Sequence, residues 1–324
     1  MSAPIAGRPL RRTVVFLYPG QGAHYPAMGR ALFEREPVFR DTLFRADRLL
    51  RRRTGVGLID AVYGDSDDWL EDLGLSHPAI FAVEWAMTRA LDAHGVRPDI
   101  VLGASLGEYV ALAAAGCVGF DEMFERVVDQ ALVVREHVPA GGMLAVIGDT
   151  SWLSRRPDLL AGVEVASRNF DGHVVLSGAP AALEGCRVAL EAEGAICSRL
   201  PVAHAFHSAA VDGAREAFAA RCVGLQLREP RFPLASCAAV CVLDRVDPAH
   251  LWRIVRDPVG FAETVRMLEA GEARLYVDVG PSGTLASFVV HLLGASVRER
   301  VSTPLSPAGG DLRGVVDALR LHAA

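Results

Sequence analysis

One stretch constrains this chain more than any other: Asp99-Ile100-Val101-Leu102-Gly103-Ala104-Ser105-Leu106-Gly107-Glu108-Tyr109. An apolar run that reads as a strand enters Gly-X-Ser-X-Gly and leaves as an Ala-rich helical run. Glycines on both sides of the serine permit the sharp strand-to-helix turn that presents a hydroxyl at a sheet edge, with a helix N-terminus behind it. Ser105 is therefore a candidate nucleophile. In a chain with 31 glycines the five-residue pattern alone says little; the strand before it and the helix after it supply the context it needs.

At 324 residues the chain is long enough for one large domain carrying an insertion, or for two units sharing a core. Apolar residues make up 51% and charged residues 22%, which excludes bulk disorder. The formal net charge of -6 gives no electrostatic support to nucleic-acid binding. No lysine is present, so arginine carries the positive charge, and clusters such as Arg51-Arg52-Arg53 and Arg155-Arg156 read as solvated faces. Six scattered cysteines lack a paired C-x-x-C spacing, which predicts core thiols and no zinc site. Arg8, Arg11 and Arg12 precede no apolar segment of signal-peptide length, and no run of eighteen apolar residues occurs. A reduced, cytoplasmic protein without a membrane partner is expected.

Val14-Val15-Phe16-Leu17-Tyr18 reads as a buried strand that ends in Pro19-Gly20-Gln21-Gly22, a tight loop able to aim a backbone N–H into a cleft. Helical spacing follows over 27–50 and over 78–94, the second with Pro78 at its first position, and again over 120–137. Strands over 143–147, 163–167, 174–177 and 195–200, with helices over 151–161 and 180–193, give the order β-α-β-β-α-β of a ferredoxin-like unit. Beyond a helix over 208–220, strands near 234–237, 275–279 and 299–302 alternate with helices near 259–270, 283–292 and 310–321. That alternation predicts an α/β class with a largely parallel, α/β-hydrolase-like sheet. The expected division is 1–141 with 205–324 for the large part and 142–204 for the small inserted one.

A serine hydroxyl needs a base within hydrogen-bond reach, and imidazole suits that task near neutral pH. His204 and His207 lie where the chain returns from the small unit to the sheet. The group that would orient the base is left open, because no carboxylate between Ser105 and His207 stands in a distinctive setting.

Phe16 to Gly22, Gly103-Ala104-Ser105-Leu106-Gly107-Glu108, His204-Ala205-Phe206-His207-Ser208 and Val279-Gly280-Pro281 occur in that order. Together with Asn169 and Ser177-Gly178, they resemble the malonyl-CoA:acyl carrier protein transacylase family over nearly the whole chain. The resemblance implies Ser105 as nucleophile, His207 as its general base, and the backbone N–H groups of Gln21 and Leu106 as an oxyanion hole. It implies that a main-chain carbonyl within 253–258, and no aspartate, orients the histidine. It further implies a monomer with no cofactor of its own, acting on acyl groups carried by acyl carrier protein or by CoA.

Departures from that family concern the acyl pocket. Members that load malonyl or methylmalonyl carry an arginine where Gln130 stands, and a neutral amide cannot neutralise a carboxylate. Arg126, four residues earlier on the same helical face, is the nearest substitute cation. Ala104 replaces a common histidine beside the nucleophile, and His77 replaces a glutamine. Against these, His204-Ala205-Phe206-His207 is the form associated with malonyl selectivity, Phe206 crowding an α-substituent. Gln130 acts on the substrate charge directly and outweighs Phe206. The whole pattern resembles most the stand-alone acyl hydrolases of trans-acyltransferase polyketide synthases. Four activities are thus in view: an editing hydrolase of uncharged acyl thioesters, a transferase of non-malonyl or aminoacyl groups, a malonyl transacylase, and an inactive carrier-binding partner. An ordinary esterase would need an acid between serine and histidine.

Overall fold

The computed structural model describes residues 12–323; Arg8 and Arg11 lie outside them. Strands β1 (Val14–Tyr18), β2 (Ile100–Gly103), β7 (Leu234–Ser236), β8 (Cys241–Leu243), β9 (Leu275–Asp278) and β10 (Val301–Ser302) form one sheet in the order β10-β9-β1-β2-β7-β8. All neighbours in it are parallel except β7 and β8. Its four inner strands, β9, β1, β2 and β7, are fully buried because helices cover both faces, whereas the edge strands β8 and β10 are only partly covered. Along β1, Val14, Phe16 and Tyr18 enter one core cluster, whereas Val15 and Leu17 enter another on the opposite face. Chain order runs from β1 to one side through β2 and β7, then returns to its other side at β9. The strand ends near β1 therefore form a topological switch point, where open α/β sheets bind ligands.

The second sheet, β3 (Gly142–Ile147), β4 (Val163–Phe170), β5 (His173–Gly178) and β6 (Ile196–Arg199), is fully antiparallel in the order β4-β5-β3-β6. With helices α7 (Trp152–Arg155) and α8 (Pro180–Ala192) this is the ferredoxin-like arrangement. Leu144 and Val146 face those helices. Met143 and Ala145, one residue out of phase, face the cavity described below. Val259 and Gly260 join the two sheets: Val259 N–H donates to Ala166 O (2.8 Å) and its carbonyl accepts from Arg168 N (3.0 Å), while Gly260 N–H donates to Cys237 O (2.9 Å) just past β7.

Several expected elements have other limits. The helix over 27–50 is two helices, α1 (Arg30–Arg35) and α2 (Pro37–Thr54). Pro37 sits at the first turn of α2 and holds Glu36 extended, which breaks the run. Pro78 does not open its helix. α4 (Leu73–Ala93) starts five residues earlier, capped by the Asp72 carboxylate accepting Gly74 N–H (2.8 Å), and carries Pro78 inside. The helix over 208–220 is a 3-10 turn, Ala209–Ala214, followed by α9 (Arg215–Arg221). Helices α3 (Leu58–Tyr63) and α10 (Pro248–Arg256), together with β8, were not foreseen from the pattern. α5 (Gly107–Ala114) leaves the elbow, α6 (Phe120–His137) packs beside α4, and α11 (Phe261–Glu269), α12 (Thr284–Leu293) and α13 (Leu312–Ala323) complete the layers. Among the described residues no helix is long and apolar enough to cross a membrane.

Candidate active site

Register places the site. Tyr18 pairs with Gly103 in the parallel β1/β2 ladder, so the Pro19–Gly22 loop and the serine turn emerge side by side. A Cβ on Gly107 would stand 2.0 Å from Tyr18 O and 2.1 Å from Pro19 O, and one on Gly103 would stand 2.2 Å from Glu108 Cα. Both glycines are thus required by close backbone approach. Ser105 is held at φ 54°, a left-handed conformation costly for a residue with a side chain. His207 is held at φ 59°. Two of the four non-glycine residues with positive φ among the described residues are therefore this pair.

Ser105 Oγ lies 2.8 Å from His207 Nε2, and His207 Nδ1 lies 2.9 Å from Asp257 O. A carbonyl can only accept, so Nδ1 carries the proton and Nε2 presents its lone pair to the serine hydroxyl. Burial, with a smaller contribution from Arg256, holds the imidazole neutral, its pKa lowered to about 4. The backbone N–H of His207 donates to Val255 O (3.0 Å), and Ser208 Oγ closes the turn on Ala205 O (2.6 Å). Main-chain acceptors at 255 and 257 thus set the ring, in the stretch where the resemblance puts the orienting carbonyl.

The backbone N–H groups of Gln21 and Leu106 meet no protein acceptor among the described residues. Gly20 is packed on the elbow so tightly that a Cβ there would be 3.1 Å from Leu106 N. Two adjacent loops therefore hold free donors beside Ser105, the arrangement an oxyanion requires.

Around the pair is a cavity of about 250 Å³, lined on the large side by Gln21, Ala104, Leu106, His77, Gln130 and Phe206 and roofed by Met143, Ala145, Val175 and Asn169 of the small sheet. His77 bridges two amides, Nδ1 to Gln130 Oε1 at 2.9 Å and Nε2 to Gln21 Oε1 at 3.2 Å. Burial lowers its pKa to about 4, so it is neutral and donates through one nitrogen only. Gln21 Nε2 is buried without a partner. Turning that amide over would give His77 Nε2 a donor and leave the Gln21 oxygen as the unpartnered atom. At the far end Ser167 Oγ donates to Asn169 Oδ1 (2.5 Å), and Asn169 Nδ2 faces His173 Nδ1 (3.2 Å); burial also lowers the His173 pKa to about 4.

Two residues weighed from the sequence stand away from the cavity. His204 is not brought to the cavity. Its Nδ1 faces Pro139 O (3.3 Å) and its ring meets Phe206 edge-on at 6.3 Å from outside the lining. Arg126 supplies no countercharge there. Its guanidinium turns outward to Asp129 (3.0 Å) and to the Arg221 carbonyl, since the buried Asp129 carboxylate needs cations. Among the described residues no charged side chain lines the cavity. Asn169, His173 and Asp257 reach the site from separate elements, and only Asn169 had been singled out by motif.

A serine on a strand-to-helix turn, a neutral histidine bonded to it and an uncharged cavity around both define a serine–histidine site on an α/β scaffold. The acyl transferase domain family matches residues 15–310, and the chain belongs to that family. Among similar proteins, the polyketide biosynthesis acyltransferase homolog PksD of Bacillus subtilis (strain 168) is 32% identical over 307 residues, covering 94% of this chain and 95% of the relative. The homolog BaeD of Bacillus velezensis is 34% identical, covering 92% and 93%. Among solved structures, the loading acyltransferase of the avermectin modular polyketide synthase superposes with a TM-score of 0.86 at 25% identity, covering 95% of this chain and 99% of that one.

Proposed function

We propose that this protein acts in polyketide biosynthesis as an acyl-enzyme that removes uncharged, non-malonyl acyl groups from acyl carrier protein. One observation carries the reading: Ser105 and His207 open onto a cavity in which, among the described residues, no charged side chain is found. A malonyl carboxylate buried beside Gln130 and neutral His77 would forgo a charge-assisted bond, and such bonds contribute about 1.5–3 kcal/mol. An acetyl or longer alkyl acyl group loses nothing. The relatives' names place similar proteins in polyketide biosynthesis.

In the first half-reaction Ser105 Oγ passes its proton to His207 Nε2 and attacks the thioester carbonyl. The oxyanion is held by the N–H groups of Gln21 and Leu106. Collapse expels the thiolate, which takes the proton from His207 and leaves acyl-Ser105. In the second, His207 Nε2 deprotonates water, the hydroxide adds to the ester, and Ser105 Oγ departs with that proton. The resemblance of the sequence pattern around Ala104 and Gln130 to stand-alone acyl hydrolases favours water as acceptor. Membership of an acyl transferase family favours the second reading, in which another carrier's thiol takes its place.

Acetyl- and malonyl-loaded carrier protein, each with and without a second free carrier, separates the two. Free acetate with no acyl on the second carrier is the expected result. Quantitative transfer establishes the second reading, and faster discharge of malonyl than of acetyl sinks the uncharged-cargo assignment.

A further inference from the structure

We propose that Glu108, His250 and Tyr109 are positioning residues that carry the placement of Ser105 across to the His207 ring. The inference rests on the reading of Ser105 and His207 as the acyl-transfer pair. α5 starts two residues after Ser105, so its first turn is fixed relative to the nucleophile. From that turn two side chains reach α10. The Glu108 carboxylate is fully buried; Oε1 accepts His250 Nε2–H at 2.6 Å, and Oε2 accepts Ala238 N–H at 3.3 Å. Tyr109 donates its hydroxyl proton to Leu251 O at 2.7 Å, also buried.

α10 is the element that presents His207 with its acceptors. Val255, one residue before its end, takes the His207 N–H, and Asp257, one residue past it, takes Nδ1–H. Arg253 Nε grips the Asp257 side chain at 2.9 Å, and Val259 then enters the bridge to β4. A short rigid path results: Ser105, the first turn of α5, the Glu108–His250 and Tyr109–Leu251 contacts, α10, the carbonyls at 255 and 257, and the imidazole. Removing a partner from a buried, hydrogen-bonded carboxylate is costly, so the Glu108–His250 pair resists sliding of α10 along α5. Movement of α10 would rotate the ring and turn the Nε2 lone pair off Ser105 Oγ. A displacement near 1 Å is enough to cost on the order of a hundredfold in rate.

The test compares the unsubstituted protein with His250→Ala, His250→Gln, Glu108→Gln and Tyr109→Phe. A serine-directed fluorophosphonate titrates the competent sites, so that acetyl-thioester turnover is expressed per titrated Ser105 and loss of folded protein drops out. Histidine-labelled protein reports the His207 Nδ1–H resonance. His250→Ala is expected to lower turnover per site about 10- to 100-fold, with little change in KM and a shifted or broadened His207 resonance. His250→Gln, which keeps a donor to Glu108, should recover most of the rate. If His250→Ala or Glu108→Gln fails to fold, Tyr109→Phe removes one hydroxyl and makes the same comparison. Turnover per site and a His207 resonance unchanged in the folded variants would overturn the proposal, even with a lower Tm. Absence of any acyl-Ser105 in the unsubstituted protein would overturn the catalytic reading instead, and the His207 resonance would then decide the positioning role alone.

Discussion

On the proposed function, Gln130 is the residue on which cargo turns. It is buried against neutral His77, and Arg126 four residues earlier is committed to Asp129. Gln130→Arg should therefore raise malonyl relative to acetyl occupancy of Ser105 about 10- to 100-fold, the equivalent of one charge-assisted bond. Intact-protein mass spectrometry after exposure to equal amounts of the two thioesters reads that ratio. A ratio that does not move places the acyl carboxylate elsewhere in the cavity. At this scale the sequence was legible where a side chain carries the proposed chemistry: Ser105, His207 and Gln130 stand in recognisable patterns, and the structure brings them to one cavity. Asp257 acts through its carbonyl, which every residue possesses, and His250 meets Glu108 only through a fold contact 142 positions away.

Among the elements, the serine turn is the least tolerant. Gly107→Ala would push a methyl to within 2.0 Å of Tyr18 O, and backbone cannot give way as a flexible side chain can. A destabilisation of about 3 kcal/mol or more is expected from urea unfolding. Gly185 supplies the contrast. It lies within α8 with nothing within 4 Å of an added Cβ, so Gly185→Ala should stabilise by about 0.5–1 kcal/mol. Equal effects of the two substitutions would refute the close-approach account of the elbow. Strand and helix types were legible from apolar period and from Pro and Gly punctuation. Boundaries were missed where the deciding contact was a cap, as with Asp72, or where short amphipathic turns such as α3 carry too few residues to show a period.

The whole molecule buries titratable groups that set its response to pH. Glu84 lies in the middle of α4, fully buried with neither carboxylate oxygen hydrogen-bonded, and burial together with the nearby Asp278 charge raises its pKa well above 4.5. Its folded-state pKa exceeds its unfolded one, so it costs stability increasingly as pH rises from 4.5, until the folded pKa is passed. Glu84→Gln should accordingly raise Tm most at pH 8, with the gain shrinking toward pH 4.5. A gain that is constant, or larger in acid, contradicts this. His77 and His207 act in the opposite sense. Their folded pKa values near 4 lie below the unfolded value of 6.5, so the stability held by their neutral forms is lost as pH falls from 6.5 toward 4. Local sequence by itself determined the class of fold, the serine turn and the uncharged residue at position 130, because backbone period, glycine freedom and side-chain chemistry are properties of the chain. Only the tertiary structure decided that Arg126 turns to Asp129, that His204 stands outside the cavity, and that carbonyls at the end of α10 accept from His207. Those outcomes depend on which distant groups compete for each charge and each carbonyl, and that competition exists only once the chain is packed.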